Sequence, residues 1–147
     1  MAAVVADHGG VVDKFAGDAV MALFGVPAAT GGEAERAIRA AVAMQRRMAA
    51  LDGDGWPGGL ARLEAGIGIN SGTMIAGTVG GPGRLEYTVL GDAINVAQRL
   101  ESEAAGGEIL AAAATIAEAR WEGAEPAGER LLKGRHQPVR VFRVRVA

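Results

Sequence analysis

The sequence predicts a single α+β domain in which helices pack on a largely antiparallel sheet. Three observations predict it. Segments of strand and helix character follow in the order strand, strand, helix, strand, strand, helix, and then a β-rich tail. Of the 147 residues, 50% are hydrophobic and 22% are charged, the balance of a packed core rather than of a disordered chain. No internal repeat or interdomain linker interrupts the pattern, so residues 1–147 read as one domain. Aromatics are only 4%, which leaves the core to Val, Ile, Leu, Ala and Met.

Each element has its own local signal. Ala2 to His8 reads as the last turns of a helix stopped by Gly9 and Gly10. Val11 to Phe15 and Ala19 to Phe24 read as strands joined by the tight-turn dipeptide Gly17-Asp18. Thr30 is placed to cap the next helix. Its apolar stripe is read as Ala37, Ala41, Met44, Met48 and Leu51, with Glu33, Glu35, Arg36, Arg39, Arg46 and Arg47 on the polar side. Asp52 to Gly59 is a Gly/Pro loop, and Leu60 to Ile69 and Thr73 to Val79 are strands around the turn Asn70-Ser71-Gly72. After the Gly80–Gly83 loop, Leu85 to Leu90 is extended. Asp92 then caps a helix running to about Glu103, with Ile94, Val96, Ala97 and Leu100 as apolar positions. Glu108 to Ala112 is a short strand, and Thr115 to Arg120 a helix. Strands near Leu131-Leu132 and over Val139 to Val146 close the chain. Trp56 and Trp121 read as packing residues.

Composition removes several classes of function. The net charge is −2, which argues against a large nucleic-acid or membrane footprint, since either would need a basic face. Without cysteine there are no disulfides or thiolate metal sites, and two histidines are too few for a His-built centre. A catalytic metal would have to sit on carboxylates, which favours hard ions such as Mg²⁺ or Mn²⁺. The apolar run at Ala19 to Leu23 is far short of a membrane span, and no signal peptide follows Met1; the simplest placement is the cytoplasm.

Two segments carry the chemistry. In Gly10 to Gly25, Lys14 lies in an otherwise apolar strand and Asp18 sits at a hairpin tip, where a carboxylate can meet a metal ion. Taken alone, Gly-Asp is also a common surface turn. In Tyr87 to Glu101, Asn95 and Arg99 are four apart and project from one helix face. An amide beside a guanidinium suits a sugar oxygen and a phosphate, although a solvated helix face shows such pairs too. The glycines of Gly77 to Gly83 and of Gly66-Ile67-Gly68 fit neither a phosphate-cradling loop nor a dinucleotide fingerprint, and read as turns and close-packed strands.

Together the two segments resemble the class III adenylate and guanylate cyclases. Lys14-Phe15-Ala16-Gly17-Asp18-Ala19-Val20-Met21-Ala22-Leu23-Phe24-Gly25 is similar to that family's hairpin. Tyr87-Thr88-Val89-Leu90-Gly91-Asp92 with Asn95, Ala97, Arg99, Leu100 and Glu101 is similar to its second motif. Gly66 to Gly72 and Gly77 to Gly80 resemble its paired central strands, and the resemblance runs from about Ala2 to the C-terminus. It implies a ferredoxin-like α/β sandwich. It implies that Asp18 binds metal, Lys14 and Thr88 read adenine, Asn95 orients the ribose and Arg99 stabilises charge on the α-phosphate. Arg135, after Lys133-Gly134, aligns with a residue that holds the triphosphate, on a weaker match. The implied reaction is cyclisation of ATP to 3′,5′-cyclic AMP and pyrophosphate, with two Mg²⁺ or Mn²⁺ ions, in cyclic-nucleotide signalling. The implied assembly is a head-to-tail homodimer, or a pair with another cyclase domain, in which Asp18 and the residues Lys14, Asn95 and Arg99 of one chain serve different sites.

The sequence departs from this pattern at its start. The family's first strand carries another metal aspartate, and its expected place is before Met1; Asp7, at a helix end, is no substitute. The expectation is a domain lacking its first, central strand, with open backbone edges in the sheet and no turnover by the chain alone. The alternative is a non-catalytic cyclase-like module for nucleotide binding or dimerisation.

Overall fold

The computed structural model describes residues 1–53 and 62–146. Trp56, the start of the expected strand at Leu60 and most of the Asp52–Gly59 loop lie outside the described residues. The elements are α1 (Ala2–Asp7), β1 (Val11–Ala16), β2 (Ala19–Leu23), α2 (Glu33–Gly53), β3 (Ile67–Ile69), β4 (Ile75–Val79), β5 (Glu86–Leu90), α3 (Asp92–Glu103), β6 (Ile109–Ala112), α4 (Ala113–Ala119), β7 (Ala124–Arg130) and β8 (Val139–Val144). The expected order of strands and helices holds.

The middle of the fold is a four-stranded sheet in the order β3-β6-β8-β7. β3 runs parallel to β6, and the other pairings are antiparallel. All four residues of β6 are buried. The alternation of a strand explains why. Ile109 and Ala111 face a cluster with Ile38, Ala41 and Val42 of α2, whereas Leu110 and Ala112 face one with Val96 and Leu100 of α3. A strand covered by helices on both faces reads as a continuous apolar run, and Ile109-Leu110-Ala111-Ala112 is one. Gly68 lets β3 lie against α3, for a Cβ there would sit 2.2 Å from the Glu101 nitrogen and 2.3 Å from the Ala97 carbonyl oxygen.

Two hairpins stand apart from this sheet as two-stranded ladders, β1-β2 and β4-β5. Gly17, with φ of +60°, makes the β1–β2 turn that a side chain would resist. The ladder slips between Val12 and Lys14, so Asp13 occupies a bulge. Among the described residues neither hairpin is bonded to a third strand.

Several sequence expectations shift. Thr30 does not cap α2; the helix begins at Glu33, whose carboxylate accepts the backbone N–H groups of Thr30 and Gly31 at 2.5 and 2.7 Å. The backbone N–H of Glu33 itself, then those of Thr30 and Gly31, and the Arg36 charge hold the Glu33 carboxyl below the usual glutamate range against the opposing effect of burial. The buried residues of α2 are Ala34, Ile38, Ala40, Ala41, Val42 and Gln45, and Leu51 is exposed. An alanine-rich helix offers overlapping stripes, and the bulk of Ile38 selects the one that fills the core. Gln45 is buried there because its amide donates to the Ala65 carbonyl oxygen at 2.7 Å. β3 is confined to Ile67–Ile69, where its short partner β6 can pair with it. β7 ends at Arg130, before the expected Leu131-Leu132; Leu131 is exposed while Leu132 packs on the α3 cluster. Asp92 is the first residue of α3 rather than its cap, a position Gly91 takes.

Candidate active site

α3 is amphipathic in the sense its sequence implies. Ala93, Val96 and Leu100 are buried, and Asn95 and Arg99, one turn apart, stand exposed on the outer side. Asn95 has no hydrogen-bond partner among the described residues. The Arg99 Nε donates to Glu103 Oε1 at 2.7 Å, with the arginine side chain 62% exposed. Glu103 is the last residue of the helix, and its other oxygen accepts from Arg130 of β7. Burial pushes the Glu103 carboxyl up, but hydrogen bonds from Arg130 and Arg99 outweigh it and leave the group more acidic than usual.

Arg135 reaches the opposite end of the same helix. Its backbone N–H closes a turn on the Leu132 carbonyl at 3.0 Å, and its guanidinium pairs with Asp92. The helix thus carries Asn95 in its first turn and Arg99 one turn further on, and Arg135 is paired at its N-terminal end. Asn70 steadies the start of that helix by donating to the Ala93 carbonyl at 3.0 Å.

Lys14 and Asp18 belong to the β1–β2 hairpin. Lys14 lies opposite Met21 immediately after the bulge, with its ammonium 3.8 Å from the Asp13 carboxylate. Asp18 is exposed at the tip and has no partner among the described residues. Thr88 is in β5, in register with Gly77 of β4. Among the described residues, no hydrogen bond or ion pair joins Lys14 or Asp18 to the residues on α3. Asn95 and Arg99 thus share one exposed side of α3 and Arg135 pairs with Asp92 at the start of that helix, while Lys14 and Asp18 sit on the β1–β2 hairpin.

Sequence reasoning missed the carboxylates that accompany each cation, namely Asp13 beside Lys14, Glu103 beside Arg99 and Asp92 beside Arg135. The i,i+4 spacing of Arg99 and Glu103 was a readable signal; the Arg130 and Arg135 pairings, across 27 and 43 positions, were not.

For metal, the described residues contain no group of three or more His, Cys, Asp or Glu side chains that could hold an ion. Asp18 fits as one hard oxygen donor, and one carboxylate alone is not a metal centre. No helix among the described residues is long and apolar enough to cross a membrane.

The helix that follows the Gly91-Asp92 turn, with Asn95 and Arg99 exposed, and the hairpin that carries Lys14 and Asp18 are the segments on which the cyclase resemblance rests. Residues 4–143 match the family model described as the adenylate and guanylate cyclase catalytic domain. The chain belongs to this family, and it is a cyclase catalytic domain with the α+β fold of that class. Such domains are metal-dependent lyases.

Its relatives include enzymes named for either purine. The chain is 36% identical over 144 residues to adenylate cyclase 1 of Rhizobium meliloti, covering 96% of this chain and 22% of that protein. Among solved structures it is similar to the adenylyl cyclase CyaB from P. aeruginosa, with TM-score 0.88, 32% identity, and 97% of this chain and 75% of that chain covered. It is also similar to the guanylyl cyclase Cya2, with TM-score 0.87, 35% identity and coverage of 97% and 73%. The chain spans about a fifth to a quarter of the length of most curated relatives it matches, and 4% of one of them.

Proposed function

We propose that this domain cyclises ATP to 3′,5′-cyclic AMP and pyrophosphate, in cyclic-nucleotide signalling, at a site shared between two chains. The observation that carries the reading is Asn95 and Arg99 exposed one turn apart on α3, with Arg135 paired to Asp92 at the start of that helix. In this reading Lys14, Thr88, Asn95 and Arg99 of one chain serve one site, and Asp18 of a second copy, or the equivalent residue of another cyclase domain docked head to tail, completes it.

In this reading Lys14 donates to a ring nitrogen of adenine and the Thr88 hydroxyl accepts from the exocyclic amino group. Asn95 orients the ribose so that its 3′-oxygen faces the α-phosphorus. That oxygen attacks, its proton is released, and the bond to the bridging oxygen breaks as pyrophosphate leaves. Arg99 balances the charge that grows on the α-phosphate, where a directed donor acts most strongly. Arg135 holds the triphosphate. Asp18 supplies one carboxylate for two Mg²⁺ or Mn²⁺ ions, which when bound favour the 3′-oxyanion and neutralise the leaving phosphates.

The test is cyclic AMP formation from ATP with Mn²⁺ or Mg²⁺ by the purified protein. Asp18→Ala and Arg99→Ala should each remove turnover. An Asp18→Ala protein that kept most of its activity would overturn the metal assignment. A second reading, a cyclase-like module that binds nucleotide or a partner without turnover, draws on the lack of a three-donor metal cluster among the described residues. ATP binding by the protein without any cyclic AMP formation would favour it.

A further inference from the structure

The carboxylate of Glu103 takes a different arginine on each oxygen, Arg99 on Oε1 and Arg130 on Oε2. The two arginines are not equivalent. Arg130 is 30% exposed and its Nη1 also donates to the carbonyl oxygens of Ala127 and Glu129, each at 3.2 Å, so β7 and its bulge hold it in place. Arg99 is 62% exposed, and Glu103 is its one partner among the described residues. We infer that Glu103 is a positioning residue that rests Arg99 beside the site and releases it to phosphate, while Arg130 stays behind as the counter-charge. This rests on the reading of Arg99 as the phosphate arginine.

Electrostatics favours the exchange. Glu103 ends α3, where the carbonyl end of the helix repels a carboxylate, and its side chain is 23% exposed. A carboxylate so placed needs a cation. If Arg99 were the only one, its departure would leave a half-buried charge uncompensated, which is costly. With Arg130 fixed on the second oxygen, the carboxylate remains paired whichever way Arg99 points. The order Arg99 then Glu103 along the helix is also the weaker orientation for an i,i+4 pair, so the contact yields readily.

The inference gives variants of opposite sign. In the full-length protein, Arg130→Gln should lower kcat for ATP about tenfold with little change in KM, because Arg99 becomes the sole partner of Glu103. Glu103→Gln should keep or raise kcat, and adding it to Arg130→Gln should restore kcat to within about twofold of Glu103→Gln alone. Arg130→Lys, which keeps the charge, should retain most of the activity. A purely structural role for this cluster would lower activity in both single variants and more in the double.

An observation without variants runs in parallel. Arginine Nε–H signals in ¹⁵N NMR are followed while 3′-deoxy-ATP, which cannot cyclise, is added to saturation. The Arg99 signal should move and the Arg130 signal should stay. A static Arg99 signal, or equal losses in Glu103→Gln and Arg130→Gln, overturns the exchange. Undiminished turnover in Arg99→Ala overturns instead the role of Arg99 on which it rests.

Discussion

Arg135 and Asp92, 43 positions apart, are joined as an ion pair that ties the turn after β7 to the first residue of α3. The acidic side chain is itself favourable at that end of a helix, so the pair lies where a phosphate could replace the carboxylate. The arginine then has a cation's place beside the helix that also presents Asn95 and Arg99.

Loss of Arg135 is expected to weaken substrate binding. Arg135→Ala should raise KM for ATP about tenfold, the scale of one charge-assisted hydrogen bond, with a smaller effect on kcat. Asp92→Asn, which frees the guanidinium, should not raise KM. Steady-state kinetics on the full-length protein checks both, and an unchanged KM in Arg135→Ala removes it from the triphosphate site.

The purine preference is expected to follow Lys14. The wild-type protein should use ATP better than GTP, and Lys14→Glu should weaken ATP use while admitting some GTP, because donor and acceptor requirements reverse. Similarity to both an adenylyl and a guanylyl cyclase leaves this to the residue rather than to the fold. Comparable wild-type turnover of the two nucleotides would count against the assignment.

Two inactive variants are expected to rescue each other. Mixing Asp18→Ala with Arg99→Ala forms heterodimers in which one of the two shared sites keeps all of its residues. Cyclic AMP formation should reappear on mixing although each variant alone is dead. Failure of rescue, with heterodimers shown to form, contradicts the shared site.

Acid is expected to remove part of the stability. Glu108 accepts the Ala105 N–H at 2.9 Å and pairs with Arg143, and these bonds hold its carboxyl below the usual range against the opposing effect of burial. A lowered folded pKa means the contribution is complete above the unfolded value, about 4.3, and is lost as pH falls through the folded one. Glu108→Gln should therefore cost about 1 kcal/mol at pH 7. The gap between variant and wild type should close as pH falls below the usual glutamate range. Urea unfolding at both conditions measures it, and a gap independent of pH would show that the charge contributes nothing.

Much of the candidate site was legible because its signals are local. The exposure of Asn95 and Arg99 on one side of α3 follows from helical periodicity around Val96 and Leu100. The hairpin tip at Gly17-Asp18 follows from the backbone freedom of one glycine. The same locality misled where several local solutions were nearly equal. In α2 many alanines permit more than one buried stripe, and the burial of Ile38 against Ile109 and Val144 chose between them.

By itself, then, the sequence determined the element order, the exposed face of α3 and the residue types available to a nucleotide. The tertiary structure decided which distant groups meet. It placed β6 between helices on both faces, set β3 parallel to it, and brought Arg130 to Glu103 and Arg135 to Asp92. The physical reason is range. Periodicity and turn chemistry act within a few residues, whereas strand pairing and ion pairing between β7 or its following turn and α3 exist only after the core has brought those segments together.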